Sequence, residues 1–136
     1  MMAGGLTLAF CLTFVAGVLN EENADSLLAG YNTMSDEKKK KVNFKGLTRL
    51  FKQTFYTMAG LVAVLSLFEL IVEDEKILII LIILISCFGL SSFMVRSKRY
   101  DSNSYKKWET AIQYSVILFL IAGGIVLSFL LWTQPF

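Results

Sequence analysis

The sequence predicts an all-α integral membrane protein, with four transmembrane helices and a cytoplasmic helical hairpin between the first and second spans. Three observations predict it. The chain of 136 residues is 55% hydrophobic with a mean hydropathy of +0.60, more apolar than a soluble domain of this length normally is. Four apolar runs, at residues 3–19, 55–72, 77–95 and 111–132, are 17, 18, 19 and 22 residues long. A helix needs roughly 20 residues to cross the hydrocarbon layer. Basic residues are also segregated: segments 20–54 and 96–110 hold 12 of the 13 lysines and arginines. The positive-inside rule assigns both segments to the cytoplasm, which leaves the two termini and the EDEK turn outside.

Each element follows in order. The first run has no basic stretch ahead of it, and the NEENAD after it offers no Ala-x-Ala cleavage pattern, so it reads as a retained span and not a signal peptide. Gly5, Ala9, Thr13 and Gly17 recur every four residues along it and form a row of small side chains for helix packing. The same row suits docking within the chain or a homo-oligomer. After the run, NEENADSLLA contains no proline or glycine and reads as continuing helix until Gly30, which suits a left-handed helix end. Ser35 is a good N-cap for a new helix over residues 36–54, with Asp36 and Glu37 favoured by the dipole of its first turn.

That new helix is amphipathic. Phe44, Leu47, Leu50, Phe51 and Phe55 share one face, while Lys38, Lys41, Lys45, Arg49 and Lys52 gather opposite. The arrangement predicts a helix lying at the membrane surface, its apolar side inward and its lysines against anionic lipid headgroups. Nucleic-acid binding is not expected, because the basic patch is modest and acids adjoin it. The third run, ILIILIILISCFGLSSFMV, carries no charge and is the clearest span. Tyr105, Trp108 and Tyr114 flank the start of the fourth, and Trp132 and Phe136 its end, as interfacial anchors do.

Composition narrows the chemistry. The chain contains no histidine, which removes Ser-His and Cys-His pairs and imidazole metal ligands. Cys11 and Cys87 form no CxxC pattern, although the topology puts them at similar depth in the bilayer. No catalytic residue, cofactor or metal site is therefore expected. Asp36 and Glu37 are adjacent on a helix and point about 100° apart, so they do not converge on one bond. The polar corner Tyr31, Asn32, Thr33, Ser35 and Glu37 reads instead as a partner-binding surface anchored by Tyr31. Glu69 is the acid that falls within a span, and an intramembrane carboxylate is a candidate ion site. Its place one turn before Glu73, near the helix end, also suits a side chain that reaches interfacial water.

The first run, the acidic connector and AGYNTMSDEKKK at residues 29–40 resemble the bacterial family catalogued as domain of unknown function 3784. The resemblance covers roughly the first half of the chain. It implies a small protein of the bacterial cytoplasmic (inner) membrane with AGYNTMS on the inner side, and it implies no enzyme activity. A fainter similarity runs to immunity-type membrane proteins that protect bacteria from their own toxins, with Gly30, Thr33 and Glu37 at the matching turn. The expected function is non-enzymatic: binding a membrane-protein partner or a membrane-active toxin. A small transporter or channel subunit using Glu69 is the alternative.

Overall fold

The computed structural model describes residues 2–72 and 74–135. Glu73 and Phe136, which the sequence reading sets beside Glu69 and at the end of the fourth run, lie outside the described residues. The described chain is helical, in the order α1 (Met2–Val18), α2 (Ala24–Leu27), α3 (Asp36–Lys39), α4 (Phe44–Phe68), α5 (Glu75–Ser97) and α6 (Lys107–Thr133). A 3-10 turn, Lys98–Tyr100, closes α5. Three helices, α4, α5 with its 3-10 turn, and α6, are long and apolar enough to cross a membrane. The protein is a membrane protein on that ground. The helix α1 is apolar but shorter, at 17 residues.

The four long helices form a row and not a closed bundle. Both α1 and α5 pack on α4, and α6 packs chiefly on α5. Successive helices run antiparallel: a Cβ on Gly5 would meet Ser66 Oγ at 2.0 Å, while one on Gly17 would come within 3.9 Å of the Tyr56 hydroxyl. Close backbone approach is what joins helices inside hydrocarbon, where burial of apolar surface gives no net drive. The same device recurs at Gly89 against Met58 and at Gly124 against Cys87. Cys87 therefore faces α6, whereas Cys11 is exposed on α1, and both thiols are free.

The residues of α1 that face α4 step by four and three. Gly5, Ala9, Ala16 and, just past the helix, Leu19 are buried, and Leu12 is half-buried. Within the four-residue row, Gly5 and Ala9 lie on this face, while Thr13 and Gly17 are exposed within the chain. The reason is geometric. Each step of four advances 40° around a helix of 3.6 residues per turn, so a strict row drifts off a straight seam. Thr13 turns its hydroxyl to its own backbone, donating to Ala9 O at 2.9 Å.

Two departures from the sequence reading lie between α1 and α4. Helix α1 stops at Val18 instead of continuing through NEENADSLLA. Asn20 Oδ1 accepts from the backbone N–H groups of Glu22 and Asn23, and the Asn23 side chain bonds Asn20 N and Val18 O in return. Short amide side chains compete with helical hydrogen bonds in this way. Nor does a helix run from 36 to 54. After the single turn α3, α4 starts at Phe44, where Asn43 caps by accepting from Gly46 N at 2.9 Å. Ser35 precedes α3 in extended backbone and makes no side-chain cap. Gly30 does adopt the left-handed conformation, at φ +89°, and turns the chain beyond α2.

Because α4 carries the amphipathic segment straight into the second apolar run, that segment does not lie flat on a membrane. Its apolar face is covered by the chain itself. Leu47 and Phe51 pack with Leu19, Ala24, Leu28 and Val42, and Tyr31, Met34 and Phe93 close the cluster. Phe51 stacks on Phe55 and meets Phe93 edge-on, with centroids 4.0 and 5.3 Å away. Each large aliphatic side chain buried here contributes about 1.5–3 kcal/mol over leaving it in water.

Candidate functional site

At the end of the row where the basic residues gather, two irregular segments are stitched together. Asn43 N donates to Tyr100 O at 2.7 Å and Ser102 N to Lys41 O at 3.2 Å, across an antiparallel bridge between Val42 and Asp101. Asn103 Nδ2 reaches Lys38 O at 2.9 Å. The first segment is braced internally by the partly exposed ion pair of Lys39 and Asp25 at 3.2 Å.

These ties enclose a polar cavity of about 470 Å³. Gly30, Tyr31 and Met34 of AGYNTMS form one wall, Ser97, Lys98, Asp101 and Asn103 the second, and Tyr105, Glu109 and Gln113 the third. Asp101 organises the second wall. Its Oδ1 accepts from the backbone and side chain of Asn103 at 2.9 and 2.8 Å, and its Oδ2 accepts from the Tyr105 hydroxyl. Glu109 accepts from Lys106 N at 2.7 Å and so caps α6 while facing the cavity. Lys38 lies 5.7 Å from the Tyr105 ring centre, and Lys98 lies 3.7 Å over that of Tyr114.

Both tyrosines of the cavity hold their protons more firmly than usual. Burial raises the Tyr31 pKa, the Asp101 charge adds to the rise, and a side-chain hydrogen bond to Ser97 opposes it. Burial likewise raises that of Tyr105, followed by its hydrogen bond to Asp101 and the negative charge around it. At neutral pH both are hydroxyl donors, so the cavity offers phenol, amide and hydroxyl groups together with one ammonium and two carboxylates.

Of the partner-binding residues expected from sequence, Tyr31 lines the cavity, with its ring edge-on to Phe44 at 5.9 Å. Asn32, Thr33, Ser35 and Glu37 are exposed on the outside of the same corner. The structure does not bring them to the cavity. Ser97, Asp101, Asn103, Tyr105 and Glu109 were not singled out by the sequence reading. Their signal was the polar, aromatic-rich YDSNSYKKW between two apolar runs, which looks like an ordinary loop until it folds against the corner. Lys45, Arg49 and Lys52 line a shallow groove on the far side of α4 with Asn20 and Glu21. Glu69 sits at the opposite end of the molecule, half-buried at the C-cap of α4.

The model of the family described as Domain of unknown function (DUF3784) matches residues 6–101. The chain belongs to that family. The match takes in α1 from Leu6 onward, the AGYNTMS corner, α4, α5 and Asp101, and it ends before Asn103, Tyr105 and Glu109. The first wall of the cavity and all of the second but Asn103 thus come from the family segment, and the third from the chain that follows it. No curated protein and no solved structure matches.

Proposed function

We propose that this is a non-catalytic, multi-pass protein of the bacterial cytoplasmic membrane that works by binding a membrane partner, in the manner of an immunity or accessory factor. One observation carries the reading: the 470 Å³ cavity that joins Tyr31 of AGYNTMS to the segment around Asp101. A concave site with convergent polar groups is what ligand recognition requires. In this reading α1 is a fourth span, since its 17 residues rise roughly 25 Å beside α4. The basic end faces the cytoplasm and both termini face outward.

Expression beside the product of its neighbouring gene in a toxin-sensitive host tests the immunity form. Killing should fall with the intact chain and return with Tyr31→Ala; unchanged killing with the intact chain would overturn it. Orientation is tested separately by Ser102→Cys in a chain whose Cys11 and Cys87 are replaced by serine. An impermeant thiol reagent should label it only after the cells are opened.

A second reading, a small transporter or channel subunit, is supported by Glu69, whose Oε2 is shielded from solvent. Reconstituted flux that is unchanged by Glu69→Gln would remove it.

A further inference from the structure

The polar cavity adjoins a second one. An apolar groove of about 530 Å³ lies over α4, between the basic-end halves of α1 and α5. Phe14 and Val18 form one side, Leu90 and Phe93 the other, and Phe51 the floor. Ala29 and Tyr31 line both spaces, so the wall of one is the roof of the other. The groove is hydrocarbon-like and lies within the row of long helices, whereas the polar cavity lies among the stitched segments, the end of α5 and the first turns of α6.

We propose that these two spaces are the tail and head halves of one lipid site, and that its occupant is a bilayer phospholipid carrying a primary ammonium beside its phosphodiester. The inference rests on the reading of the polar cavity as a binding site. Charge selects the headgroup. Lys98, a lining residue whose ammonium rests 3.7 Å over the Tyr114 ring, supplies one cation, and Asp101 and Glu109 supply two carboxylates. A headgroup bearing only a phosphodiester would meet Lys98 but also face both carboxylates. A headgroup with a quaternary ammonium presents its positive charge without an N–H donor. A phosphoethanolamine group presents both signs and three donors.

Acceptor capacity points to Glu109 as the ammonium partner. Asp101 already accepts three hydrogen bonds, whereas Glu109 accepts one, from Lys106 N, among the described residues. An ionised carboxylate has about four lone-pair positions. The phosphate then falls to Lys98, because the Ser97, Tyr105 and Thr110 hydroxyls already donate to Met94 O, Asp101 and Lys106 O. Tyr31, at the junction of the two spaces, separates head from tail.

The test is native mass spectrometry of the full chain released from detergent micelles. The probes are phosphatidylethanolamine, phosphatidylcholine and phosphatidylglycerol with matched acyl chains. Phosphatidylethanolamine should occupy the protein about tenfold better than the other two, as one charge-assisted hydrogen bond allows. Glu109→Gln, which keeps an oxygen to cap α6, should bring that preference near unity. Lys98→Gln, which keeps the backbone N–H at the C-cap of α5, should weaken all three lipids. Leu90→Trp should fill the groove and lower all three, while Leu118→Trp on exposed α6 should change nothing.

Equal occupancy by the three lipids would overturn the inference. So would a preference that survives Glu109→Gln, binding of all three lipids unaltered by Lys98→Gln, or undiminished binding in Leu90→Trp. A crosslinking amino acid at Phe93 that captured a partner helix instead of lipid would also overturn it, and would leave the partner reading standing. Selective lipid binding with no effect on toxin killing would do the reverse.

Discussion

The inner face of the first half of α4 and the outer face of α6 are both helical and apolar, yet they meet opposite surroundings. Leu47 and Leu50 are 0% and 1% exposed, whereas Leu118 and Phe119 are 68% and 77% exposed. The difference lies in what surrounds them. Around Leu47 the chain folds back on itself, so that the end of α1, the turn α2 and the corner at Tyr31 all converge on one face. Among the described residues α6 packs chiefly on α5, and the face that carries Leu118 and Phe119 is exposed. Apolar content marks both as buried from water. It does not say whether protein or hydrocarbon does the covering.

The comparison can be broken most directly with paired truncations. Leu47→Ala should destabilise the protein by about 3 kcal/mol, the usual range for a leucine truncated in a packed core. Leu118→Ala should stay within about 0.5 kcal/mol. Denaturant or thermal unfolding in a single detergent measures both, and equal effects would mean that the two regions do not differ as described.

Glycine gives a second pair. Gly5→Leu pushes a side chain into Ser66, a buried residue with nowhere to move, and should cost about 2 kcal/mol. Gly123→Leu on α6 meets nothing within 4 Å and should leave the unfolding midpoint unchanged or higher. A third change should stabilise. Ser66, Ser91, Ser97 and Ser128 are buried, and each donates to a carbonyl three or four residues back, but Thr48 Oγ1 is buried with no hydrogen-bond partner among the described residues. Thr48→Val should therefore raise stability by about 1 kcal/mol. Lower stability in that variant would mean that the hydroxyl has found a partner.

The smallest effect is a pH dependence confined to the corner. Tyr31 and Tyr105 are both raised above the ordinary tyrosine value of 10.0. With the folded value above the unfolded one, their contribution to stability is complete below about pH 10 and is lost as pH rises through the folded values. The unfolding midpoint should stay level through neutral pH and fall only at strongly alkaline pH. Asp101→Asn should bring phenolate formation at Tyr105 back toward the ordinary range, followed by its absorbance.

Much of the fold was legible because it depends on long, uniform signals. The third and fourth apolar runs coincide closely with α5 and α6, and Gly30 does turn the chain in the left-handed region. The signals that misled were short ones. Ser35 and its acids look like a helix start, but α3 lasts four residues because Asn43 offers a working cap further on. The asparagine pair that ends α1 was hidden in a stretch without proline or glycine. At the candidate site, Tyr31 was found from its motif. Asp101, Tyr105 and Glu109 were not, because their role depends on a pairing between segments about sixty residues apart.

By itself, then, the sequence determined that the chain is helical and apolar enough for a membrane, and it segregated the basic residues to one end. Those properties are sums over many residues, and no single contact changes them. Only the tertiary structure decided that the amphipathic face of α4 turns inward, that α1 packs by fours and threes, and that one tyrosine stands between a polar and an apolar space. Such outcomes depend on which surfaces meet, and local patterning leaves that open.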